Sequence, residues 1–140
     1  PQLDKALVRR FDKIVDFDRY SKSNLAEVGE SIATRLIETA DFVKSDRRLL
    51  KKILQAAPLL PMPGELKNVI RSAIAFSDSS SPCDYLIRLY LALNSGKKPS
   101  LLELKHKGFT VREMEVLTGI SKSKISRLLK ETDNEQSTQA

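Results

Sequence analysis

The sequence predicts an all-α protein: a helical bundle over residues 1–95, a three-helix unit over residues 99–131 and a disordered polar tail over 132–140. Three observations carry this. Apolar residues recur at the i, i+3, i+4 spacing of helix faces nearly throughout, with almost no strand-like alternation. Ser, Thr, Asp or Asn stands ahead of most of these faces, and Gly or Pro behind them, as helix starts and stops require. The charge is also uneven. Residues 96–130 carry nine Lys/Arg against three Asp/Glu, whereas residues 1–95 carry fifteen against twelve, within a chain of 140 residues and net charge +6.

The first face is Leu3, Leu7, Val8, Phe11, Ile14 and Val15, closing at the polar cluster Tyr20–Ser23. A second helix is expected under Asn24, with Glu27 as its third residue and a stripe of Leu25, Val28, Ile32, Leu36, Ala40 and Val43. Asp46 or Ser45 opens a third, with Leu49, Leu50, Ile53, Leu54 and Ala57 inward, and Pro58 stops it. Pro58, Pro61, Pro63 and Gly64 then mark a loop that Leu59, Leu60 and Met62 pin to the core. A fourth helix follows from Glu65 to about Phe76 on Leu66, Val69, Ile70, Ala73 and Ile74. After the serine-rich loop 77–81, Pro82 takes a first-turn position of a fifth helix whose segment Tyr85–Leu93 is apolar nearly all round. Such a helix is buried, which makes it the centre of the bundle. Asn94, Ser95 and Gly96 end it, and residues 95–99 are the expected domain division.

Beyond the Lys97–Lys98 pair, Ser100 caps a short helix with Glu103 three residues on, Leu101, Leu102 and Leu104 as its apolar face and Gly108 as its stop. The segment GFTVREMEVLTGISKSKISRLLKE, Gly108–Glu131, then reads as two short helices around a tight turn. Thr110 and Glu113 form a reciprocal capping box, Phe109 staples the junction, and Met114, Val116 and Leu117 supply apolar surface. Gly119 falls where the chain must turn with positive φ. Ile120 plugs the inter-helix core, Ser121 caps the second helix, and Ile125, Leu128 and Leu129 face inward. Ser121, Lys122, Ser123, Ser126, Arg127 and Lys130 are left pointing outward. Basic side chains that bond phosphates and guanine edges, interleaved with serines small enough to allow close approach, are what a helix reading the major groove needs.

With Thr110, Glu113, Met114, Gly119, Ile120, Ser121, Ile125, Ser126, Arg127 and Leu128 in register, this segment resembles the helix-turn-helix of prokaryotic transcription regulators and site-specific recombinases. The resemblance covers about a quarter of the chain. It implies a tri-helical helix-turn-helix domain that binds double-stranded DNA. No family is recognised in residues 1–95. One departure stands out: where the family has alanine or glycine at the helix approach, this chain has Glu115. That carboxylate must lean out or pair with a base such as Lys124, which predicts a wider helix crossing.

The expected contacts to bases or nearby phosphates are Ser121, Lys122, Ser123, Ser126 and Arg127, with Thr110, Arg112, Lys124, Lys130, Lys97 and Lys98 along the backbone. The basic ridge Arg47, Arg48, Lys51 and Lys52 offers a second nucleic-acid contact, with a solvated face the commoner reading of such a ridge. Cys83 reads as a packed thiol and His106, the sole histidine, as an exposed bystander. No nucleophile elbow, glycine-rich phosphate loop or metal-ligand spacing is present, so neither enzyme chemistry, a metal nor a cofactor is expected. A lone cysteine and the lack of a long apolar run point to a reducing, cytoplasmic and nucleoid-associated setting with no membrane contact. The expected function is sequence-selective duplex DNA binding by a transcriptional regulator, as a homodimer because one small module covers too little DNA. The alternative is an adaptor or accessory subunit of a replication, plasmid-partition or recombination complex, with the bundle docking a protein partner.

Overall fold

The computed structural model describes residues 21–41 and 43–139, with side chains through Asp133. The helix expected over Leu3–Val15 lies outside these residues. Among the described residues there are seven helices and no strand: α1 Lys22–Glu38, α2 Arg47–Ala56, α3 Pro63–Ala75, α4 Asp84–Leu93, α5 Leu101–His106, α6 Val111–Thr118 and α7 Lys122–Gln139. No helix among them is long and apolar enough to cross a membrane.

Ser21 rather than Asn24 starts α1, its side chain accepting from Asn24 N at 3.1 Å. The buried line is also not the expected stripe. It runs through Leu25, Ala26, Gly29 and Ala33, with Ile32 and Leu36 only partly covered, and the helix stops at Glu38 before Ala40 and Val43. Small residues explain the rotation. A Cβ on Gly29 would lie 3.1 Å and 3.2 Å from the Leu54 methyls and 3.2 Å from a Leu66 methyl, so glycine is what lets α1 press onto α2 and α3.

Asp46 caps α2 by accepting from Leu49 N at 3.1 Å, and Leu49, Leu50, Ile53 and Leu54 are buried as expected. Pro63 is not in a loop but opens α3, where its missing N–H goes unneeded and its fixed φ suits the first turn. Of the loop residues expected in the core, Leu60 is buried whereas Leu59 is 82% exposed. Pro82 precedes α4, and Cys83 occupies the cap position. α4 is covered on one side only: Tyr85, Leu86, Leu89, Tyr90 and Leu93 are buried, while Arg88 and Ala92 face outward. Tyr85 Oη donates to Lys44 O at 2.6 Å, and burial pushes its phenol pKa up to about 12.

Helix α4 packs on α2, on α3 and on α6, and through α6 it joins the two parts of the chain. The buried core is continuous across residues 95–99: Leu104, Phe109, Met114, Leu117 and Ile125 belong to the same cluster as Leu50, Ile53, Leu86 and Leu89. Among the described residues, packing thus runs on across the expected division. The tail expected to be disordered from 132 instead continues α7 to Gln139. Thr132 Oγ1 donates back to Leu128 O at 3.0 Å, and Asp133 meets Lys105 Nζ of α5 at 3.0 Å, which ties the extension to a neighbouring helix.

Candidate nucleic-acid interface

The α6–α7 pair is assembled by local hydrogen bonds that follow from its residues. Thr110 Oγ1 accepts from Glu113 N at 3.2 Å, and Glu113 Oε1 accepts from Thr110 N at 2.8 Å, completing the capping box. At the other end Gly119 takes φ 76°, and its N–H reaches Glu115 O at 2.9 Å. Thr118 Oγ1 donates to Met114 O and accepts from Ile120 N, which stiffens the turn. Ser121 Oγ then accepts from Lys124 N at 3.3 Å.

Glu115 departs from expectation. It neither leans free into solvent nor pairs with Lys124; its Oε2 accepts from Lys122 N at 2.9 Å, so the carboxylate closes the first turn of α7. Backbone donors at a helix start favour a negative charge. The residue that breaks the family pattern thus fixes where the basic helix begins.

Ile125 is 0% exposed and holds α7 against the core, with Leu128 and Leu129 half-buried beside it. At 3.6 residues per turn, Ser123, Arg127 and Lys130 fall within about 40° of the line opposite Ile125. Lys122 and Ser126 flank that line on one side and Lys124 on the other. Ser121, Lys122, Ser123, Lys124, Ser126, Arg127 and Lys130 are all exposed. None of the four cations among them is in an ion pair with a described residue. An outward face of unneutralised bases separated by serines results.

The remaining expected contacts are not gathered on that face. Thr110 and Arg112 sit at the far end of α6, about 12 Å from the turn at 1.5 Å per residue over its eight residues. Thr110 is already engaged as a cap. Lys97 and Lys98 are exposed near α5 and line a separate cleft with Pro58, Tyr90, Glu103 and Lys107.

One further residue was misplaced by reading bases along a helix. Lys52, taken for part of a solvated ridge, donates to Glu113 Oε1 at 2.6 Å and to Gly108 O at 3.0 Å. The Glu113 side chain is only 8% exposed. Burial alone would push its pKa up, but the Lys52 ammonium and the Thr110 hydrogen bonds outweigh this and hold it below the ordinary value. No signal local to either segment announces this contact.

Among the described residues no cluster of three His, Cys, Asp or Glu side chains is placed to hold a metal ion. Comparison with protein-family models, curated proteins and solved structures found no match to this chain.

Proposed function

We propose that this chain is a sequence-selective duplex DNA-binding protein of the helix-turn-helix kind, acting as a transcriptional regulator on the nucleoid. The observation that carries the reading is the outward face of α7, where Ser123, Arg127 and Lys130 stand opposite the buried Ile125 with no carboxylate partner among the described residues. Such a helix enters the major groove. Arg127 supplies a guanidinium for the O6 and N7 acceptors of a guanine, the serines let the helix approach the base edges, and Lys122, Lys124 and Lys130 neutralise phosphates. The α7 start is held by Ser121, Glu115 and the left-handed Gly119, so the reading side chains are presented from a fixed point. A homodimer doubling the contact over two half-sites gives a small module useful selectivity.

The second reading is an adaptor that docks onto a larger DNA-processing complex, and the observation favouring it is the exposed Phe76, at 72%, beside the open side of α4. The test is selection of bound duplexes from a random pool, followed by gel filtration with and without the selected duplex. A dimer on a palindromic site is the result expected of a regulator. A monomer with weak, sequence-independent binding favours the adaptor, and absence of any duplex binding at low salt removes both. On the selected site Arg127→Ala should abolish preference at one base pair, a loss of about 1–3 kcal/mol, with circular dichroism unchanged. Equal losses on selected and scrambled duplexes would make Arg127 a phosphate contact.

A further inference from the structure

We infer that Arg48, on α2, is a phosphate-binding residue that acts with Arg112 of α6 to grip the DNA backbone beside the groove α7 enters; this rests on the DNA-binding reading above. Arg48 and Arg112 come from distant parts of the sequence yet line one cleft of about 280 Å³ with Asp46, Thr110, Glu113 and Val116. Both arginines are exposed, and neither is in an ion pair with a described residue.

The cleft also holds two carboxylates, so the sign of its charge has to be argued. Asp46 is engaged as the α2 cap, accepting from Leu49 N. Glu113 is engaged by Lys52 and by Thr110 N, and the lysine neutralises it. What stays addressable from solvent is a pair of guanidiniums whose mutual repulsion an anion relieves. Guanidinium groups bind phosphate through parallel hydrogen bonds, a geometry lysine does not reproduce.

Position decides which part of DNA the cleft meets. Its Thr110, Arg112 and Glu113 lie in the first turn of α6, with Val116 one turn on, whereas the base-reading start of α7 follows the C-terminal end, about 10 Å from Arg112 at 1.5 Å per residue. The major groove is about 12 Å wide, so a group displaced by that distance from a helix in the groove reaches the sugar–phosphate wall rather than the bases. Lys52, one turn along α2 from Arg48, is bonded to both Glu113 and Gly108 O and so holds the two arginines in a constant relation. Within the same ridge the other bases differ. Arg47 lies 3.8 Å from Glu30, and Lys51 is exposed but does not line the cleft.

The experiment is the slope of log affinity against log salt for the full chain on its selected duplex, in wild type, Arg48→Gln, Arg48→Lys and Lys51→Gln. Arg48→Gln should flatten the slope by up to about 0.9 for each bound copy. It should also weaken selected and scrambled duplexes by the same factor, as loss of a phosphate contact does. Arg48→Lys keeps the charge and should keep most of the slope, which separates a lost contact from a damaged fold. Lys51→Gln should leave the slope alone. An unchanged slope in Arg48→Gln overturns the inference while leaving DNA binding intact, and so does equal flattening in Lys51→Gln, which would mean a diffuse surface field. Absence of duplex binding by the wild type defeats the DNA-binding reading itself, and the inference with it.

Discussion

Glu113 is where a local motif and a long-range contact share one oxygen. Its Oε1 accepts both Thr110 N, three residues away, and Lys52 Nζ, from another helix. Replacing Lys52 with methionine leaves a nearly buried carboxylate with a single donor. The expected cost is about 1.5–3 kcal/mol in urea unfolding, the range for hydrogen bonds to charged groups. Pairing it with Glu113→Gln should recover part of that loss in a double-mutant cycle, and zero coupling would show that the contact does not matter to stability. The pH dependence follows from the same geometry. Glu113 titrates in the folded state below the ordinary value of 4.5, so its contribution to stability is fully present above that value and is lost as pH falls through the lowered one. In acid titrations Glu113→Gln should therefore unfold over a shallower pH range than the wild type, and identical profiles would count against the assignment. The Thr110–Glu113 half of this arrangement was legible because both partners lie within one turn. The Lys52 half was not: spacing along α2 tells which residues share a face, not which helix lies opposite. Glu115 was misread for a related reason, since a search for basic partners passes over a backbone donor such as Lys122 N.

Helix starts were the most legible elements, because capping is a matter of three or four neighbouring residues. Asp46, Ser100, Thr110 and Ser121 all cap where their spacing predicts. The failures are instructive. α3 begins at Pro63, which was read as a breaker although proline is well suited to the first position of a helix. α1 buries Ala26, Gly29 and Ala33, small residues that a search for large apolar side chains passes over. The turn between α6 and α7 permits a sharper test. Gly119 has φ 76°, and a Cβ built there meets nothing within 4 Å, so any penalty for substitution comes from the backbone and not from a clash. Gly119→Val should destabilise by about 1–3 kcal/mol, as a β-branched residue forced into the left-handed region does. Gly119→Asn should cost clearly less, because asparagine visits that region more readily. Equal penalties in thermal melts would point to a hidden steric contact instead.

At the scale of the whole molecule, the buried core of the described residues runs without a break past the point where composition places a domain division. Lys97, Lys98 and Pro99 have the character of a linker, but periodicity along the chain carries no information about α4 packing on α6 or about Lys52 reaching Glu113. Continuity of the core predicts that the α5–α7 region unfolds together with the rest, and the tyrosines make this measurable. Tyr85 and Tyr90 are both buried on α4, and no tyrosine follows residue 95, so the tyrosine band of the near-ultraviolet dichroism, distinct from that of the buried Phe109, reports the N-terminal part alone. Ile125, fully buried on the inner face of α7, lies in the other part. Truncating it to alanine should cost about 2–5 kcal/mol by lost burial and cavity formation. If unfolding is a single cooperative event, the tyrosine signal and the far-ultraviolet helix signal should both shift by the same amount, on the order of 6–15 °C for a chain of this size. Two independent domains would behave otherwise. Part of the helix signal would then melt early in Ile125→Ala while the tyrosine transition stayed at its wild-type temperature, and the lysine-rich segment would be a true linker. A common shift has a functional consequence, because α7 is then presented from the same rigid body that carries Arg48. Any partner stabilising α1–α4 would also stabilise α7, and on the proposed DNA-binding reading the midpoint for losing duplex binding on heating should coincide with both optical transitions.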